Sequence, residues 1–201
     1  MARRSLPVEK SVFLNVPFDA DYERNFVALI VALIALGQTP HCVLELPELG
    51  SGRLRRLFKH IEKCRISIHD LSRTGLPVRF NMPFELGLAC ALAEYHKPHS
   101  YLVMEKERYR LDRTLSDLKG QDPLIHYDNP RRIVSVVISA LSRKTQGPDP
   151  NEVYKNFKML WTIGRELKSQ YSENTIFNRA IFIRLVEAGT RLAIVSGHIK
   201  K

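Results

Sequence analysis

Five short β-rich runs alternate with helix-patterned segments through the first 141 residues, and that alternation leaves few folds open. The runs are SVFLNV (11–16), HCVLEL (41–46), RISIHD (65–70), SYLVME (100–105) and PLIHY (123–127). The first is apolar on both faces, as a strand inside a parallel sheet must be. Between the runs, Phe26, Ile30, Leu33 and Ile34 trace a helix that stops at Gly37, with Asp21 as a candidate cap. Leu54, Leu57, Phe58 and Ile61 fall at i, i+3, i+4 and i+7 of a second helix, ringed by Arg53, Arg55, Arg56, Lys59 and Lys63. Further helices are predicted over 83–95 and 130–141. The pattern as a whole predicts an α/β fold, an open, mostly parallel sheet flanked by helices. Such sheets bind ligands beyond the carboxyl ends of their strands, which places NVPFD (15–19), LPELGSG (46–52), HDLSRTG (69–75) and MEKERY (104–109) around the candidate site.

The alternation breaks at KTQGPDPN (144–151), whose Gly147, Pro148 and Pro150 interrupt helix and read as a linker. The predicted organisation is therefore an α/β domain over 10–143, a linker over 144–150 and a C-terminal helical pair over 151–198. Val153, Phe157, Leu160, Trp161, Gly164 and Leu167 form one apolar stripe of that pair, and Ile181, Leu185, Ala188, Leu192 and Val195 form the other. Two helices cannot bury both stripes by themselves, so they must pack on the α/β domain or on another chain, and a homo-oligomer, a homodimer first, is the expected partner.

Composition narrows the class further. With 44% hydrophobic and 26% charged residues the chain is globular and not disordered. Its longest apolar run, 26–36, falls short of the roughly 20 residues that span a bilayer, and MARRSLPVEK lacks a signal core, so a cytoplasmic protein with no membrane partner is expected. Cys42, Cys64 and Cys90 show no paired spacing, in keeping with reduced core thiols. The net charge of +10 makes polyanion contact possible, but the excess is split evenly at residue 144 and no basic arm stands out, so nucleic acid is not indicated.

The candidate chemistry centres on Glu85, the lone carboxylate in the apolar run 82–93. Two readings are open. Near a helix start behind Pro83, it can accept backbone N–H groups and meet the helix dipole. Its neighbours one turn on, Leu88, Ala89 and Leu92, are apolar, however, and a desolvated carboxylate needs a partner or a task. Arg79 and Asn81 precede the same helix, where a guanidinium could hold an anion or form a surface ion pair and an amide could meet a base edge. The glycines of GSG (50–52) could cradle a phosphate but lack a P-loop lysine. His69 alternates into the sheet and reads as a core histidine. His96 and His99 of HKPH have no third ligand nearby, and no metal or cofactor is expected.

SVFLNVPFD, ISIHDLS and NMPFELGLACALA together resemble the nucleoside 2-deoxyribosyltransferase and TIR-like superfamily, over roughly residues 10–140. FELGLA is the sharpest match and DLS the second. The NVPFD, HDLSRT and RFNMPFELG motifs also resemble a little-characterised bacterial group. The resemblance implies a flavodoxin/TIR-like sheet and cleavage or transfer at an N-glycosidic bond of a nucleoside, nucleotide or NAD-like molecule. It implies Glu85 as the catalytic carboxylate, ionised to meet the positive charge that develops at C1′, and Asp70 as a catalytic residue that orients sugar or leaving group. Asn15, Pro17, Phe18, Ser72, Arg79, Asn81 and Met82 fall at substrate-binding positions. The alternative it leaves open is a nucleotide-binding sensor without turnover.

Overall fold

The computed structural model describes residues 8–46, 52–73, 80–95, 98–142 and 147–200. Within them the chain runs β1 (Val8–Asn15), α1 (Glu23–Ala35), β2 (Thr39–Cys42), α2 (Arg53–Lys63), β3 (Cys64–Asp70), α3 (Asn81–Tyr95), β4 (Ser100–Glu105), α4 (Leu111–Thr114), β5 (Leu124–Ile125), α5 (Pro130–Leu141), α6 (Pro150–Gln170) and α7 (Arg179–Val195). The five strands pair in parallel in the order β2-β1-β3-β4-β5. This is the α/β open sheet expected from the alternation, and its order reverses between β1 and β3.

Strand alternation decides which helices lie on which face. Val12, Leu14, Ile68 and Met104 belong to the large core that includes α1 and α5, whereas Phe13 and Cys64 pack with α2 and α3. The helix ends follow local chemistry. Gly37, at a φ of 70°, takes the left-handed turn that ends α1, with its N–H on the Ile34 carbonyl at 2.8 Å. Asn129, Asp149 and Asn178 cap α5, α6 and α7, and Pro130 and Pro150 occupy first turns where their missing N–H groups cost nothing. Pro150 thus opens a helix where a linker was expected. Asp21 does not cap α1 but lies exposed in a 3-10 turn before it. The second β-rich run extends as strand only to Cys42, because Glu45 folds back to accept the Cys42 N–H at 3.0 Å and closes a turn over Val43–Glu45. PLIHY contributes only two strand residues.

Every residue of α1 except Arg24 is buried, because the sheet covers one side of it and α6 and α7 cover the other. Phe26 meets Phe177 and Phe182, with ring centroids 5.2 and 5.8 Å away. Glu23, at the start of α1, accepts the Ile176 N–H at 2.9 Å and Lys168 Nζ at 3.1 Å. The helical pair is therefore docked on the α/β unit. The α6 stripe buries Val153, Phe157, Leu160 and Gly164 as expected, and α7 keeps Ile181 and Leu185 inward with Ala188 and Leu192 half-buried on the same core, but its inward face is centred on smaller residues. It buries Ile181, Phe182, Leu185, Gly189 and Ala193 and leaves Val195 86% exposed. The cause is close approach: a Cβ on Gly189 would lie 2.8 Å from Ile34 Cδ1 and 3.3 Å from Leu160 Cδ2. Gly189→Val is expected to destabilise the fold by about 1–3 kcal/mol through overpacking, read as a lower urea midpoint with unchanged slope.

Candidate active site at the carboxyl edge of the sheet

Asp70 ends β3 on the α1 side of the sheet. It is fully buried and surrounded by donors: the Tyr22 hydroxyl, the Ser72 N–H at 2.9 Å and His126 Nε2 at 3.1 Å. Burial pushes its pKa upward, but the hydrogen bond from His126, with those from Ser72 and Tyr22, outweighs burial and holds the carboxyl below its ordinary range. Ser72 Oγ meets the same His126 nitrogen at 2.8 Å. Ser72, His126 and Asp70 resemble a hydrolytic triad in composition, and the geometry excludes one. His126 Nδ1 accepts the Asp128 N–H at 3.1 Å, so in the neutral ring Nε2 carries the proton and cannot take one from Ser72. Beside this cluster lies a cleft of about 300 Å³ lined by Pro17, Tyr22, Ser72, Arg73, Lys106 and Asp128. Its walls come from the loops after β1 and β3, the position where an open sheet of this order receives ligands.

Asn15 and His69 leave the opposite face. Asn15 Nδ2 donates to His69 Nδ1 at 2.9 Å and to the Met82 carbonyl at 2.9 Å, which ties the end of β1 to the first turn of α3. The protons in the network can be assigned from its end. His99 Nδ1 must donate to the Cys64 carbonyl at 2.9 Å, so its Nε2 accepts from Ser67 Oγ at 3.1 Å, and Ser67 in turn accepts from His69 Nε2 at 2.9 Å. Both rings are neutral, and burial, together with the charge His99 would carry, drives the His69 pKa down to about 3. An unfolded His69 takes up a proton near pH 6.5, which the folded ring refuses until about pH 3, so this residue's contribution to stability is present above pH 6.5 and is lost by about 1.4 kcal/mol per pH unit between those values. In NMR spectra the His69 ring is expected to remain in its neutral form at pH 5; titration at an ordinary pKa would contradict the network.

Glu85 lies on the same face, on the buried stripe of α3 with Met82, Leu86, Ala89 and Leu92. The helix begins at Asn81, so Glu85 is its fifth residue and not its third. That is beyond the free N–H groups and most of the dipole, which removes the capping account. Burial raises its pKa to about 7, against the opposing pull of a hydrogen bond from Asn81 and the charge of Arg53 at the start of α2. The expectation that helix position keeps this carboxylate ionised is corrected: desolvation outweighs it.

The residues marked from sequence thus gather at one edge but on two faces, Asn15, Asn81, Met82 and Glu85 on one and Asp70 and Ser72 on the other. Pro17 lines the cleft. Phe18 packs its ring against Phe26 and Phe177, at 6.2 and 5.0 Å between centroids. Arg79, Gly50, Ser51 and His96 lie outside the described residues. Tyr22 and His126 escaped sequence reading, because neither carries a motif and only the fold brings them to Asp70. A third polar group was missed as well: His41 Nδ1 and His60 Nε2 lie 3.0 and 3.3 Å from Glu45 Oε2 beside the edge strand. No helix among the described residues is long and apolar enough to cross a membrane. Comparison with family models, with curated proteins and with solved structures gives no match to this chain.

Proposed function

We propose that this chain cleaves an N-glycosidic bond, by hydrolysis or transfer, in a nucleoside, nucleotide or NAD-like molecule, with Glu85 as the working carboxylate. The observation that carries the reading is the state of Glu85: buried at the carboxyl edge of the sheet, beside the Asn81 amide and the Arg53 charge, with a pKa of about 7. A carboxyl poised there changes charge at working pH, a property that functional sites share. In its ionised form it meets the positive charge at C1′ as the base departs, either as nucleophile or as counter-ion. Asn15 acts as a positioning residue through its bond to the Met82 carbonyl, which fixes the helix that carries Glu85. The three free cysteines accord with action in the reducing cytoplasm. Phe80 and Phe84, exposed at the start of α3, are where a second copy of the chain would close the site.

The test is incubation of the purified chain with a mixture of nucleosides, nucleotides and NAD, followed by chromatography for free base or nicotinamide. Release is expected, with kcat/KM rising through about pH 7 as Glu85 ionises. One observation favours the alternative of a binding module without turnover: the partners of Asp70 all lie inside the protein, so it offers no second carboxylate to a ligand. Saturable nucleotide binding with no release of base would establish that alternative.

A further inference from the structure

We propose that His41, Glu45 and His60 form a binding site for a divalent transition-metal ion of the zinc class. His41 comes from the edge strand β2, Glu45 from the turn that follows it and His60 from α2, and one ligand atom of each lies within 4.8 Å of the other two. Two imidazoles and a carboxylate are a donor set that zinc takes, and donors about 2.0–2.2 Å from a tetrahedral zinc stand about 3.3–3.5 Å from one another. The 3.0 Å from Glu45 Oε2 to His41 Nδ1 and the 3.3 Å to His60 Nε2 are close to that spacing.

The crowding at one oxygen points the same way. Glu45 Oε2 has three nitrogens around it, the two ring nitrogens and that of the Cys42 N–H at 3.0 Å, with His41 Nδ1 also 3.2 Å from Oε1, whereas a carboxylate oxygen offers about two lone-pair directions. A cation between the rings and the carboxylate replaces two of those protons and leaves the Cys42 N–H to orient the ligand from outside, the arrangement metal-bound carboxylates require. The His60 ring is held by the edge of Phe13, with centroids 5.7 Å apart, and the two imidazoles stand at 86° to each other. The three side chains are 18–27% exposed, so a fourth position opens to solvent and takes water. An ion here staples the four-residue edge strand to α2, the helix whose first residue, Arg53, acts on Glu85. The site stands independently of the glycosidic reading.

The experiment uses the full-length, tag-free chain after chelator treatment, titrated with zinc by calorimetry and with cobalt(II) by visible absorption. One ion per chain is expected, with the cobalt d–d band of a four- or five-coordinate site and a higher melting temperature in zinc than in magnesium. His41→Ala, His60→Ala and Glu45→Gln should each weaken binding at least about tenfold while far-ultraviolet circular dichroism is unchanged. His198→Ala, outside the cluster, should bind as the wild type does. Failure of the wild type to saturate at one ion per chain overturns the proposal whatever the variants do. So does zinc affinity that survives in folded His41→Ala and His60→Ala proteins.

Discussion

At pH 8 the Glu85→Gln variant is expected to be more stable than the wild type and to release base at least about a hundredfold more slowly, a loss of roughly 3 kcal/mol of transition-state stabilisation. Both effects come from one charge. The folded pKa of Glu85 is raised to about 7 from an ordinary 4.5, so between these values the folded chain holds a proton that the unfolded chain has released. Stability therefore falls as pH rises through this window, and above pH 7 the buried carboxylate costs about 3 kcal/mol. Glutamine keeps the shape without the charge and escapes that cost. Below pH 4.5, where glutamate is neutral in both states, the two proteins should have equal stability. Urea titrations at pH 3.5, 6 and 8, run beside assays of base release, read the whole pattern. Equal stability at every pH would place Glu85 in contact with water, and full activity in the variant would remove it from the chemistry.

The same residue marks how far sequence carries. The alternation of β-rich runs with amphipathic segments was enough for the α/β class, and Glu85 stood out because a carboxylate on an apolar helix is locally anomalous. Its ionisation was not legible, since that depends on how deeply α3 is covered and on where the helix begins, and two residues at the start moved Glu85 past the free N–H groups. Asp70 was legible as a strand-end acid but not as a sealed one: Tyr22 and His126 lie 48 and 56 positions away in sequence, and only the fold turns them inward. His41, Glu45 and His60 were hidden for a similar reason, because a strand, a turn and a helix each contribute one ligand and no single repeat spans them. On α7 the heptad-like stripe held at Ile181 and Leu185 and failed at Val195, because it ranks residues by apolarity. The helix instead approaches α1 through Gly189, whose missing Cβ allows close contact with Ile34, and leaves Val195 in water.

Ending the chain after residue 146 is expected to abolish cooperative folding. The deletion removes α6 and α7, and with them the outer cover of α1. Phe26 loses the Phe177 and Phe182 rings, Ile34 and Ile30 lose the backbone of Gly189, and Glu23 loses the Ile176 N–H and Lys168. The ordering entropy of the deleted segment disappears too, so the loss is smaller than its summed contacts. What remains is decisive nonetheless. Three large side chains returned to water cost about 1.5 kcal/mol or more each, and the Glu23 carboxylate is left without the donors that satisfied it. Together these approach the roughly 5–15 kcal/mol by which a domain is stable at all. The exposed face would also be a strip of apolar helix on the side of a parallel sheet, where chains associate. The 1–146 protein should therefore be aggregated, or expanded without a thermal transition, in size-exclusion chromatography and circular dichroism. A soluble 1–146 chain that melts cooperatively at the wild-type temperature would show that α1 is buried by the tail without depending on it, and would make the helical pair a separable appendage.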